Sequence, residues 1–302
     1  MTGALSEWRT QIMIKSNLLE WFPQGKFQSN PSVKEDEVAI PLSKNQWLLL
    51  KMSSLTEREQ QLVSLLTGEE SAFDGGPWYD YLVHSRGKLP KSVQKIQFVH
   101  CHLFHYENET IGSWLEMMRT ILPNRIADFQ LSSQDYIFVL DQTQLIPVKA
   151  VLHDTLSAIE YDFSLALTIQ IGQIWTRMFE GSYSELFQAE NALFTKWWEQ
   201  AQHSNVHSFS QLFLWGISQR GFISPILTQK LHQLIESQDQ LVDIIAALWE
   251  NTAVVTKAAQ QLYIHRNTLQ YHIDKWEELT GLQLKDLTDL TLCYHVILTD
   301  LF

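Results

Sequence analysis

Between Val255 and Trp276 the chain gathers side chains suited to hydrogen bonding with base edges and phosphates. Arg266, Asn267, Thr268, Gln270, Tyr271 and Lys275 follow closely on one another, with Lys257 and His265 just upstream. Arginine matches the guanine edge, asparagine and glutamine match adenine, and lysine matches phosphate. Such groups read a groove only when a rigid element presents them. The spacing predicts two short helices joined by a tight turn. Thr256 is placed to cap the first, its hydroxyl accepting from a free backbone N–H. Ala258, Ala259 and Leu262 give that helix a small apolar face, so a second helix crosses close to it. Tyr263 and Ile264 form the turn, and His265 or Asn267 caps the second helix. That helix runs to about Leu279, before Gly281, which suits a left-handed C-terminal cap. Leu269, Ile273 and Trp276 recur at i, i+4 and i+7 and so share one buried stripe. Asn267, Thr268, Tyr271 and Lys275 fall on the other side, as a major-groove reader requires. The expected DNA-contact set is Lys257, His265, Arg266, Asn267, Thr268, Gln270, Tyr271 and Lys275.

The string Ala258-Ala259, then Leu262-Tyr-Ile-His-Arg-Asn-Thr-Leu-Gln-Tyr-His-Ile273, resembles the helix-turn-helix that ends the PucR/CdaR transcriptional regulators. The continuation Glu277-Glu278-Leu279-Thr280-Gly281-Leu282 and a last amphipathic helix from Thr288 to Phe302 resemble the same family. The match covers about the last sixty residues. Gln270 and His272 depart from it, standing where the family commonly has basic residues, which weakens phosphate contacts. The resemblance implies a regulator that binds double-stranded DNA, answers to a small-molecule effector not identified by the sequence, and carries a degenerate GGDEF-like domain before the reader.

A chain of 302 residues with 45% hydrophobic content has room for two or three cored domains. No apolar run reaches the length of a membrane span, and the N-terminus, with Glu7 and Arg9, does not read as a signal peptide. Cys101 and Cys293 lie in apolar segments and read as free thiols in a reducing cytoplasm. The net charge of −12 argues against general nucleic-acid binding. Residues 241–302 are themselves net −4, but 256–276 hold Lys257, Arg266 and Lys275 against Asp274 alone. The acids occupy the flanks and the groove-facing stretch is mildly basic. A single copy would therefore hold DNA weakly and salt-sensitively, and a homodimer would double the contacts.

Upstream, the expected organisation is an α+β multidomain chain. Residues 1–92 read as a region of helices with one β-hairpin. Its apolar residues Trp8 and Trp21 suggest amphipathic helix, Phe27 to Asp36 reads as loop, and Glu37–Leu42 with Gln46–Lys51 form the hairpin. Thr56 and Glu59 make a capping box that opens a helix. Residues 93–200 follow the order βαββαβα: strands at 93–106, 125–131, 136–141 and 165–175, and helices at 109–122, 147–161 and 183–200. That order is ferredoxin-like, and with Ala166–Gly172 and Gly181-Ser-Tyr-Ser followed by Ala189–Ala192 it resembles the degenerate GGDEF-like domain of the family. Residues 201–240 read as a helical connector and 241–302 as the helix-turn-helix domain. Trp215 and Phe213 in the connector are candidates for an oligomer interface or for core.

Two other chemistries have partial signals in the chain. A working nucleotidyl cyclase needs a Gly-Gly turn and metal-binding acids on two strands. Here the turn is Ser132-Ser-Gln-Asp135 and the first strand, Phe98 to Phe104, has no acid, so this domain reads as catalytically dead. His100, Cys101, His102 and His105 invite a metal, but His100 and His102 face one side of a strand and Cys101 the other, and no second cluster completes a set. They read as ordinary strand residues. The expectation is a cytoplasmic regulator with no catalytic residues, no metal and no cofactor. The alternatives are a ligand-sensing or protein-interaction relative whose reader has weakened and, last, a nucleotidyl-cyclase-type enzyme.

Overall fold

The computed structural model describes residues 22, 24–28, 37–43, 46–56, 59, 63, 76–201, 203–219 and 223–299. The chain divides into two compact units, 1–74 and 75–302.

In the first unit, apolar alternation in Gln46–Lys51 (β3) places Leu48 and Leu50 on one face, where Val38 of Glu37–Ser43 (β2) joins them in the core with Leu55 and Val63. The two strands pair antiparallel as the expected hairpin. Phe27, expected in a loop, instead lies in a third strand, Lys26–Gln28 (β1), which pairs with the free edge of β3. The unpaired backbone groups of that edge account for the difference, because they need a partner wherever the sheet is not exposed to water. The Thr56 capping box is present: Glu59 accepts from the Thr56 backbone N–H at 2.8 Å. The helix expected around Trp8 and Trp21 lies outside the described residues.

The second unit begins with the helix Gly76–Val83 (α1). Lys95–His105 (β4), apolar or aromatic at most positions and buried on both faces, forms the middle of a sheet. It is followed by Asn108–Ile121 (α2), Arg125–Gln130 (β5), Asp135–Asp141 (β6), Val148–Phe163 (α3) and Ala166–Ile171 (β7). The strands run β5-β6-β4-β7 and end with Asn205–Ser208 (β9), antiparallel except for the last pair. The expected strand at 165–175 is split: β7 ends at Ile171, and after a turn Trp175–Thr176 (β8) pairs with the start of β4. Gly172 marks the break. A Cβ there would lie 2.1 Å from Glu190 Oε2 and 2.7 Å from the Phe98 carbonyl, so the backbone approaches its neighbours as only glycine allows.

The helix Tyr183–Ala201 (α4) covers one sheet face, and α2 with α3 cover the other. The segment expected to be wholly helical after it contributes a strand, Asn205–Ser208 (β9), parallel to β7. Its Val206 enters the core shared with α2 and α3, and that burial outweighs the polar composition of the segment. Ser208 then caps Phe209–Ser218 (α5) through a capping box with Gln211, and Pro225–Glu236 (α6) follows with proline in its first turn. Phe213 is fully buried and belongs to the core.

Leu241–Glu250 (α7), Val255–Gln261 (α8), Arg266–Thr280 (α9) and Leu287–Leu298 (α10) complete the unit. One continuous apolar cluster runs from Phe98 and Phe187 through Phe209, Phe213 and Leu234 to Leu248, Trp276 and Val296. The C-terminal helices therefore share a core with the sheet side of the unit instead of hanging from a linker. Cys101 and Cys293 are buried free thiols, and burial raises both pKa values far above the ordinary thiol range. No helix among the described residues is long and apolar enough to cross a membrane.

Candidate nucleic-acid interface

The interface is built on α8 and α9. Ala258 and Ala259 are buried, so α8 packs closely on its neighbours with little side-chain bulk between the axes. Its start differs from expectation: Val254 occupies the N-cap position, no side chain caps it, and the exposed Thr256 lies inside the first turn. The cause is the preceding turn. Thr252 and Ala253 have φ of +51° and +61°, and their N–H groups close α7 by donating to Trp249 and Leu248 carbonyls. This is a Schellman arrangement, and it commits the chain to re-enter helix at Val255, two residues earlier than a threonine cap allows.

The turn between α8 and α9 repeats the same device. The Ile264 N–H donates to the Ala259 carbonyl at 3.1 Å, and the Tyr263 N–H to Gln260 at 3.2 Å. Tyr263 has φ +56° where glycine is usual. Side chains brace the same corner: Asn251 Nδ2 donates to the Ala247 carbonyl at 2.8 Å and also to Gln261 Oε1, and Gln261 Nε2 donates to Glu250. The three helix ends are thereby fixed relative to one another before any ligand arrives.

His265 caps α9. Its Nδ1 accepts from the Asn267 backbone N–H at 3.1 Å, which uses one of the free donors of the first turn. The apolar stripe is as expected: Leu269, Ile273 and Trp276 are at most 1% exposed, a burial that contributes roughly 1.5–3 kcal/mol for each large side chain. Gly281, φ +72°, ends the helix. On the outer side Arg266, Asn267, Thr268, Tyr271 and Lys275 are exposed together, with Lys257 exposed on α8. Gln270 is half-buried and donates to Asp274, one turn on. That pair engages the one glutamine of the set and leaves an acid beside Lys275, so the positive potential of the face rests on Lys257, Arg266 and Lys275. Seven of the eight expected contact residues thus lie on α9 or at its cap, and Lys257 lies on α8, which packs against it. The structure also presents Tyr263, 97% exposed at the turn, which had been read only as a turn residue. Its signal in the sequence was a large aromatic side chain at a position that favours glycine.

The other cluster weighed in the sequence lies inside the central sheet. His100 Nδ1 is 3.2 Å from Asn191 Oδ1, and its Nε2 is 3.7 Å from Glu190 Oε2. His102 Nδ1 is 2.8 Å from Asp135 Oδ1, its ring stacked on Trp198 at 3.6 Å. Cys101 faces the opposite side, toward α2 and α3. Asp135 also accepts from Ser132, so its carboxylate closes the turn between β5 and β6.

Residues 241–297 match the family described as the PucR C-terminal helix-turn-helix domain. The whole chain is 29% identical over 284 residues to a leucine-rich protein of Streptococcus dysgalactiae subsp. equisimilis, a match that covers 93% of this chain and 99% of that one. Over 58 residues, 19% of this chain and 11% of the other, it is 34% identical to the purine catabolism regulatory protein of Bacillus subtilis. A solved regulator of polyketide synthase expression from Bifidobacterium adolescentis aligns over 82% of this chain and 96% of its own, at 13% identity and a TM-score of 0.36.

Proposed function

We propose that the protein is a DNA-binding transcriptional regulator of the PucR type. The observation that carries this reading is the two-sided build of α9. Its buried stripe is locked into the core, while Arg266, Asn267, Thr268 and Tyr271 stand exposed on its first turns, in a segment that matches the PucR helix-turn-helix domain. Lys257 and Lys275 supply phosphate contacts at the edges, His265 sits at the cap, and Gln270 reads through or in exchange with Asp274. The working form is a cytoplasmic homodimer, since one mildly basic reader makes too few phosphate contacts to hold DNA at cellular salt. Residues 93–200 are a ferredoxin-like, GGDEF-like domain with no cyclase activity. The first four strands of that sheet, ordered second-third-first-fourth and antiparallel, support this assignment. We keep 1–92, 201–240 and 241–302 as the remaining functional segments, with effector sensing upstream of the reader.

A second reading has one observation in its favour. Asp274 sits on the exposed face and pairs with Gln270, which suits a relative that has lost much of its DNA affinity and works by ligand or protein contact. Selection of bound duplexes from a random pool, followed by anisotropy titration across salt, separates the two. A regulator selects a two-fold symmetric site with half-sites about 34 Å apart, or a multiple of that, and log affinity falls linearly with log salt. Failure to enrich any sequence overturns the reading.

A further inference from the structure

We propose that Gln173 and Glu190 are positioning residues for α9: a buried carboxylate in the central domain fixes the turn after β7, and Gln173 of that turn holds the C-terminal end of the DNA-facing helix. This rests on the reading of α9 as the DNA reader.

The last carbonyls of any helix have no partner within the helix. In α9 two of these, on Glu278 and Thr280, are met from the central domain. Gln173 Nε2 donates to the Thr280 carbonyl at 2.9 Å in a buried contact, and Lys95 Nζ donates to the Glu278 carbonyl at 2.6 Å. Ile174 packs against Gly281 so closely that a Cβ on that glycine would lie 2.9 Å from the Ile174 side chain. The central domain therefore grips the final turn of α9 and leaves its first turns to solvent.

The gripping turn is itself held from inside. Glu190, on α4, is fully buried, and its Oε1 accepts from the Gln173 backbone N–H at 3.1 Å and from Trp175 Nε1 at 2.8 Å. Its Oε2 occupies the space that a side chain at Gly172 would fill. A buried carboxyl group is costly unless it is hydrogen-bonded, and both bonds to Oε1 come from residues 173 and 175, so this placement constrains that turn. A path of direct contacts thus runs from α4 through Glu190 and Gln173 to Thr280. A shift of α4 against the sheet, of the kind an upstream ligand could bring about, would move the end of the reading helix.

The test uses the full-length protein, the duplex that the wild type itself selects, and amide hydrogen exchange of the 276–284 segment. Gln173→Ala is expected to lower affinity at least tenfold with the base preference unchanged, because Arg266 to Tyr271 remain intact, and to speed exchange in 276–284 at least tenfold. Glu190→Gln keeps an oxygen that can accept from Gln173 N–H and should stay within threefold of wild type. Glu190→Leu should behave like Gln173→Ala. Equal exchange in wild type and Gln173→Ala would overturn the proposal, as would equal losses for Glu190→Gln and Glu190→Leu. If the wild type binds no duplex, the reading as a DNA-binding regulator fails, while the exchange measurement still decides whether Gln173 positions α9.

Discussion

Two polar clusters sit in very different surroundings. On α9, Arg266, Asn267, Thr268 and Tyr271 are exposed. In the central sheet, His100, Gln170 and His207 stand in register across β4, β7 and β9, with Glu190 above them. Water satisfies the first cluster, so those side chains add little to folding and are free to bind. In the second, both amide atoms of Gln170 and His207 Nε2 lack hydrogen-bond partners, while His100 Nε2 and Glu190 Oε2 face each other at 3.7 Å. Each atom without a partner costs on the order of 1–3 kcal/mol. The buried row therefore weakens the fold while restricting how α4 and the sheet can fit together. Polar side chains stay available for contacts where solvent reaches them and restrict packing where it does not.

The sharpest way to break this comparison is within α9 itself. Trp276→Ala empties a fully buried site and should cost about 3–5 kcal/mol of stability. Tyr271→Ala, one side round the helix and 63% exposed, should change stability by less than about 0.5 kcal/mol while reducing DNA affinity. Urea midpoints of both variants measure this, and comparable losses would mean that the outer face is structural.

Next in size is Gly172→Ala. The added methyl meets the Glu190 carboxylate and the Phe98 carbonyl, and the carbonyl belongs to a central strand that cannot move alone. A loss of about 1–3 kcal/mol is expected. A smaller loss for Gly172→Ala in a Glu190→Ala background would show that the clash with the carboxyl group dominates; an unchanged midpoint in Gly172→Ala would show that the close approach carries no cost.

These two cases also show what could be read from the chain alone. The α9 stripe was legible because Leu269, Ile273 and Trp276 repeat with the helical period, and Gly281 marks the end. The order of helices and strands from 95 to 201 was legible from the same kind of periodicity. The cap at Thr256 was misplaced because the Schellman turn at Thr252 and Ala253 uses non-glycine residues at positive φ, a conformation that composition does not announce. β9 and β1 were missed because each is short and is stabilised by pairing with a distant strand edge. The role of Glu190 was invisible for a different reason: its partners Gln173 and Trp175 lie in a turn outside its own helix, 17 and 15 residues upstream, and a lone glutamate in an amphipathic helix reads as solvent-facing.

On the DNA side, Arg266→Ala should cost about 1–3 kcal/mol of specific binding and relax preference at one base pair. Lys257→Ala should weaken binding to all sequences alike and lower the salt slope by about one. Anisotropy with the selected duplex and with point-substituted duplexes distinguishes the two patterns. A uniform loss for Arg266→Ala would move that arginine from base reading to phosphate contact.

The smallest expected effect comes from the buried row and is seen in pH. Burial, with nearby His203 adding to it, pushes the His207 imidazole down to about 4. An unfolded chain takes up that proton near pH 6.5, so between about 6.5 and 4 the unfolded state binds more protons than the folded one. Stability should therefore fall as pH drops through this window, with a slope below the ~1.4 kcal/mol per pH unit of one full proton. Glu190 works the other way: burial raises its carboxyl, so the folded state holds a proton that the unfolded state has released, and its contribution falls as pH rises above the ordinary carboxylate range. The wild-type profile is the difference of the two. His207→Phe should flatten or reverse the acid-side loss, and Glu190→Gln should steepen it, both read from urea midpoints taken at steps between pH 4.5 and 7. If His207→Phe tracked the wild type at every step, the buried histidine would carry no proton linkage, and the contrast between the two clusters would reduce to packing alone.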